Sequence, residues 1–234
     1  QNKRYIDSDM NRLWKTKTLS SKNKNSEENE IIIVKRLVDK IISLKKKKNI
    51  CIIDLHNTSS AHGVFTIVNN NTEKKLASNL AIPVINKLLK KIKGSLAEYY
   101  HSKGLTSIVF EGGAIGDPAA INNHEAGIWK ILEAKKMIQP ESVPNKVRLK
   151  MKKMSDFSSQ INGHYVVKHI HKIKSNDEFL MNPNMQNFEK VKKMDIIAHD
   201  KNGPITAPCD GHLLMPLYQE QGTEGFYIIN NEKN

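Results

Sequence analysis

Three short stretches of the chain carry side chains whose types and spacing suit chemistry. In Asn49-Ile50-Cys51-Ile52-Ile53-Asp54-Leu55-His56-Asn57-Thr58 an apolar run ends in a carboxylate, an imidazole, an amide and a hydroxyl. Side chains two apart on a strand share a face, so Asp54 and His56 point the same way. A histidine beside a carboxylate is a common arrangement of a metal ligand and the group that orients its ring. The run Ser107-Ile108-Val109-Phe110 ends similarly in Glu111, followed by Gly112-Gly113. An acid at a strand end among apolar walls suits general acid or base work, although a surface or helix-capping acid has the same signature. The segment Arg4-Tyr5-Ile6-Asp7-Ser8-Asp9-Met10-Asn11-Arg12 packs two guanidinium groups and an amide into nine residues. Arginine holds carboxylates bidentately or stabilises an oxyanion; taken alone, the segment also reads as a surface ion-pair loop.

These groups need elements to position them. Ser26 onward, with acids in its first turn, starts a helix along which Ile33, Leu37, Ile41 and Leu44 repeat at helical spacing. The strand to Asp54 reads as covered on both faces, since it is apolar and β-branched throughout. Gly63 to Val68 is a second strand, a short helix covers 73–80, and Leu96, Tyr99 and Tyr100 mark another helix closed by Gly104. Asp117-Pro118 opens a further helix, acid as N-cap and proline in the first turn, with Ile121, Ile128, Trp129 and Leu132 as its inward face. Alternating strands and helices imply an α/β sheet with buried strands, whose strand ends are where such sheets bind ligands. After Pro140 the texture changes to alternating strand and turn patterns. The expectation is therefore an α/β domain over 1–144 and a small all-β domain over 145–234.

Composition narrows the class. At 234 residues, 38% hydrophobic and 26% charged, the chain has ordinary globular composition. It has no apolar run long enough to span a membrane as a helix. The net charge of +13 invites a nucleic-acid reading, but lysine dominates over arginine and aromatics are only 6%, with no basic–aromatic interleaving. No nucleic-acid partner and no membrane partner are expected. Cys51 reads as a buried structural thiol, and a cytoplasmic location is expected. The chain opens on Gln1 directly before the Arg4 segment, so an N-terminal part is expected to be missing, with any targeting signal.

Together, Arg4-Tyr5-Ile6-Asp7 with Asp9-Met10-Asn11-Arg12, Asp54-Leu55-His56-Asn57-Thr58 and Phe110-Glu111-Gly112-Gly113 resemble the succinylglutamate desuccinylase/aspartoacylase family. Gly116-Asp117-Pro118-Ala119, Asn123-His124-Glu125-Ala126, and the tail from Phe188 through Gly211-His212 to Gly222 extend the likeness along nearly the whole chain. The resemblance implies a zinc-carboxypeptidase-like mixed sheet with helices on both faces, and a zinc-dependent hydrolase of N-acyl amino acids or similar small acylated amines. It implies one Zn2+ with His56 as a ligand, Glu111 as the general base, and Arg4 polarising the scissile carbonyl. Asn11 and Arg12 would hold the substrate carboxylate, and Asp54 is the candidate orienter of His56. The family's other two zinc ligands come from an upstream His-x-x-Glu that the nine histidines here do not supply; Glu98-x-x-His101 has the reverse order and reads as structural. The chain alone should therefore bind zinc poorly. The positions matching the tyrosine and arginine with which aspartoacylase reads its substrate are Ala97 and His101, which argues against aspartate-type specificity. His62 reads as a loop residue near the pocket, and His169 and His171 as a solvent-facing strand edge. The competing reading is a non-catalytic homologue that binds carboxylates without metal.

Overall fold

A computed structural model describes residues 5–15, 24–45 and 50–232. Its helices are α1 (Ser26–Leu44), α2 (Asn71–Ala77), α3 (Leu96–Ser102), α4 (Pro118–Ala134) and α5 (Asn145–Ser158). In the first half the strands are β1 (Cys51–Thr58), β2 (Phe65–Val68), β3 (Val84–Asn86) and β4 (Thr106–Ala114). The second half adds β5 (His164–Lys172), β6 (Leu180–Met181), β7 (Lys190–Val191) and β8 (Ile196–Asp200). It closes with β9 (Gly203–Thr206), β10 (Gly211–Leu214) and β11 (Glu224–Asn231).

Eight strands form one mixed sheet in the order β1-β4-β2-β3-β5-β11-β10-β7, and β6-β8-β9 form a small second sheet. β1 runs parallel to β4, β4 antiparallel to β2, and β2, β3 and β5 run parallel, with antiparallel pairs beyond. The main sheet thus crosses the division expected at 144/145. Period-two alternation sends Phe65, Ile67 and Val109 to one face, where they meet Ala97 of α3 and Tyr227 of β11. Val64, Val68, Ile108 and Phe110 go to the other, against Ala126 and Ile131 of α4 and Met154 of α5.

Several expectations need correcting. Residues 145–158 form a helix: α5 packs Val147 and Met154 inward, so β structure resumes only at His164. β1 is the sheet edge among the described residues and mostly half-buried, not covered on both faces. On α1 the stripe at Ile33, Leu37, Ile41 and Leu44 is exposed; Ile31, with Val34, Val38 and Ile42, packs on Trp14, Tyr99 and Tyr100 instead. The helix carries two apolar stripes, and periodicity alone does not choose between them. On α4, Ile121 and Ile128 face solvent while the small residues Ala120, Ala126 and Gly127 are buried, because the helix lies close on β4. A Cβ on Gly127 would stand 2.7 Å from the Phe110 ring.

Glu73 of α2 ties this frame together. Fully buried, it accepts from the backbone N–H of Asn69 (2.8 Å) and of Ser107 (3.0 Å), and meets His101 Nδ1 at 2.8 Å. His101 is thereby a structural partner of Glu73, in keeping with its reading beside Glu98. Replacing Glu73 by leucine strands those donors in the interior. Urea denaturation should report a loss of about 3 kcal/mol.

Candidate active site

The segment with Asn11 and Arg12 is held onto the body of the protein by backbone contacts. Glu27, in the first turn of α1, accepts from the N–H of Ile6 (2.6 Å) and of Asp7 (3.2 Å). Asp9 caps the short 3-10 turn Met10–Arg12 by accepting from Asn11 N at 2.9 Å. Asn11 Oδ1 accepts from Leu96 N at 3.1 Å, the first residue of α3, which leaves the NH2 end of its amide as the donor for a ligand. Gly94 makes this approach possible: its φ is +89°, and a Cβ there would lie 2.4 Å from the Arg12 carbonyl oxygen. Arg4 lies outside the described residues.

On the sheet, His56 and Glu111 are register partners across the parallel pair β1/β4. Glu111 stands inside β4 rather than at its end, 6% exposed, on the face shared with Val109. The register slips immediately afterwards, between His56 and Thr58, so that Gly112 and Gly113 bulge beside the imidazole. Only glycine suits this bulge. Gly113 has φ of +133°, and a Cβ on Gly112 would meet His124 Nε2 at 2.5 Å.

Asp54 and His56 do share a face: His56 Nε2 lies 3.0 Å from Asp54 Oδ1. Behind them His124 Nε2 meets Asn57 Oδ1 at 2.8 Å, and Asn123 Nδ2 donates to Gly112 O at 2.9 Å. Burial, with the nearby His56 adding to it, holds the His124 imidazole below its ordinary pKa and so neutral. A buried amide, Asn187, draws the segments on either side together: its Nδ2 donates to Thr58 Oγ1, Ser60 Oγ and His62 O, and its Oδ1 accepts from Met215 N at 2.6 Å.

A cavity of about 190 Å³ opens on this face of the sheet. It brings together Asn11, Arg12, His56 and Glu111, while Asp54 stands behind His56 and outside the lining. Its far wall comes from the C-terminal part of the chain, including Met215, Leu217, Thr223 and Glu224. Glu224 binds Arg12 Nη2 at 2.9 Å, a contact spanning almost the whole sequence, and nothing in the pattern around it pointed to the site. His124 was quoted only for the family likeness, and its contact with Asn57 is legible only in three dimensions.

Other residues fall elsewhere. Ala97 is buried in the core beneath the cavity, and neither it nor His101 lines the cavity. His62 is exposed, stacked on Phe157. His169 and His171 are not a solvent-facing edge: β5 lies between β3 and β11, His171 stacks on Phe226 at 4.9 Å, and burial lowers both imidazoles. Cys51 is half-buried, and burial pushes its thiol up.

The donor chemistry for a metal is partial. Among the described residues no three His, Cys, Asp or Glu side chains converge to hold an ion. His56, with a carboxylate at its ring nitrogen, fits one corner of a site, and the described chain does not complete it. No helix among the described residues is long and apolar enough to cross a membrane.

The fold has known counterparts. Succinylglutamate desuccinylase from Vibrio parahaemolyticus superimposes with a TM-score of 0.66 at 18% identity, over 98% of this chain and 67% of that one. The enzyme of the same name from Vibrio cholerae gives 0.68 at 14% identity, over 97% and 66%. Murine aminoacylase 3 gives 0.56 at 16% identity, over 97% and 78%. The chain thus spans about two thirds of the length of the two desuccinylases. At these identities the likeness establishes the zinc-carboxypeptidase-like fold. No curated protein sequence matches the chain. The sequence model of the succinylglutamate desuccinylase/aspartoacylase catalytic domain, however, matches residues 1–126, more than half of the 234. By that match the protein belongs to the succinylglutamate desuccinylase/aspartoacylase family.

Proposed function

We propose that the protein is a zinc-dependent deacylase that hydrolyses the amide bond of an N-acyl amino acid or a similar small acylated amine. The observation that carries this reading is the juxtaposition of His56 and Glu111 on adjacent strands, facing a cavity whose opposite wall presents Asn11 and Arg12. Family membership supports a hydrolase of the deacylase type. When bound, zinc supplies Lewis acidity toward a carbonyl and a water of lowered pKa.

The chain's own groups divide the remaining work. His56 is one zinc ligand, its ring held by Asp54. Further ligands, which the described residues do not supply, would complete the site. Glu111, in a largely water-excluded position, takes a proton from the attacking water and delivers one to the departing amine nitrogen. Arg4 is assigned to the scissile carbonyl, where its charge opposes the negative charge that grows on oxygen. Asn11, through its NH2, and Arg12 bind the substrate's carboxylate and place the amide over Glu111. The neutral, packed His124 fills the space beside the Gly112-Gly113 bulge and so fixes how the ends of the His56 and Glu111 strands lie against each other.

Arg12→Met tests the binding half of this reading. A charge-assisted hydrogen bond lost from both ground and transition states raises KM with little change in kcat. The expected rise is about 10- to 100-fold in steady-state kinetics. An unchanged KM would remove Arg12 from substrate binding. The C-terminal part of the chain, beyond 145, shapes the mouth of the site through Met215, Leu217, Thr223 and Glu224.

A further inference from the structure

Three residues with left-handed backbones meet at one buried side chain. His62 (φ +60°), Phe188 (φ +65°) and Met215 (φ +49°) take a conformation that residues other than glycine seldom adopt. Asn187, 4% exposed, is adjacent to all of them. Its Nδ2 donates to the His62 carbonyl at 2.7 Å, its Oδ1 accepts from Met215 N at 2.6 Å, and Phe188 follows it in the chain. Met215 is the least expected of these, because Pro216 comes next and the residue before a proline is pushed toward extended backbone. Such strain persists only where the surroundings over-determine it, and it gathers where function needs one geometry. The held segment reaches the cavity. Met215 is half-buried, packs on the cluster that contains Ile67, Leu89 and Val109, and lines the cavity with them. Ser59, three residues beyond His56, secures the same wall: its Oγ donates to Pro216 O and accepts from Tyr218 N, both at 3.1 Å. The connection from β10 to β11 is thus tied at its start to the end of the His56 strand, and at its finish, through Glu224, to Arg12.

We propose that Met215 limits the length of the acyl group the site accepts, and that Asn187 is the positioning residue that keeps it there. This inference rests on the deacylase reading and adds the acyl specificity to it. With the substrate carboxylate at Asn11 and Arg12 and its amide at His56 and Glu111, the start of the β10–β11 connection is left to the acyl group. A thioether chain on a fixed backbone closes that apolar wall. A longer acyl chain has to displace it, or the amide stops short of Glu111. Without Asn187 the Met215 N–H loses its acceptor, the left-handed turn relaxes, and the side chain leaves the wall. Asn187 acts only through Met215 and the loop at 58–62, since it does not itself line the cavity.

The test compares kcat/KM of the full-length protein for the N-acetyl and N-hexanoyl derivatives of leucine, glutamate and arginine. The acetyl derivatives should be preferred. Met215→Ala should raise the hexanoyl-to-acetyl ratio by about tenfold or more, the discrimination that a methylene or two gives in an apolar pocket. Met215→Leu, of similar volume, should keep the preference for acetyl. Asn187→Ala should raise the ratio with Met215 intact, and adding Met215→Ala to it should raise it little further. Damage to the fold alone lowers both derivatives alike and leaves the ratio where it was. A preference for hexanoyl in the unaltered protein, or a ratio unmoved by Met215→Ala, would overturn the proposal. Independent, additive effects of the two variants would remove Asn187 from it. Should Asn187→Ala fail to fold, the two Met215 variants still decide whether this residue sets the acyl length. If none of these derivatives is turned over, the deacylase reading fails and the proposal falls with it; turnover with an unmoved ratio sinks the proposal alone.

Discussion

Glu111→Gln should reduce kcat by about 10²- to 10⁴-fold while leaving KM and zinc content near their original values. The substitution keeps the size of the side chain and replaces only the group that accepts and returns a proton. Glu111 is held within β4 by parallel pairing to β1 and antiparallel pairing to Phe65 of β2, so the backbone has no freedom to adjust. A largely buried carboxylate beside the His56 strand is well placed to move protons and too deep to serve as a surface ion. The proposed reading assigns substrate affinity to Asn11 and Arg12, so the effect should fall on kcat and on kcat/KM equally. Steady-state kinetics with parallel metal analysis measures both quantities. If zinc disappears along with turnover, Glu111 is a ligand and not the base. If turnover survives, the proton passes elsewhere.

His56→Ala should leave the full-length protein without stoichiometric zinc after dialysis, and without activity. A catalytic zinc site rests on three protein ligands, and removing one imidazole leaves two. Asp54→Asn should do less, lowering zinc affinity by about 10- to 100-fold, because it loosens the ring without deleting the donor. The graded pair separates a ligand from its orienter. Equal losses from both would mean that Asp54 is itself bound to the metal. Retention of zinc by His56→Ala would place the metal away from β1.

Much of the site was legible because it is built from local patterns. Asp54 and His56 share a face by strand periodicity, and the 3.0 Å contact follows directly from it. An acid closing the apolar run of β4 singled out Glu111, although the strand continues through both glycines, where the sequence suggested a stop. Asn11 and Arg12 stood out as part of a dense cluster of guanidinium and amide groups, a pattern that a surface ion-pair loop shares. Arg4, from the same cluster, falls outside the described residues. What was hidden depends on long-range contacts. Glu224 lies 212 positions from Arg12, and its neighbourhood resembles any strand start preceded by a loop. The edge position of β1 is a property of the sheet's strand order, which an apolar run does not encode. Helix α5 was missed because its few apolar residues are scattered among lysines; Val147 and Met154 suffice to dock it on the sheet. On α1 both stripes are apolar enough to be the inner one, and the choice is made by Trp14 and the tyrosines of α3.

The most direct test of the central claim is the position of zinc itself. Crystals of the full-length protein grown with zinc, measured on both sides of the zinc absorption edge, should show one anomalous peak on the cavity face of β1. That peak should lie about 2.0–2.1 Å from a ring nitrogen of His56, within reach of a water that Glu111 contacts. A peak elsewhere, or none on a protein that still hydrolyses N-acyl amino acids, would contradict the assignment of this strand pair as the catalytic centre.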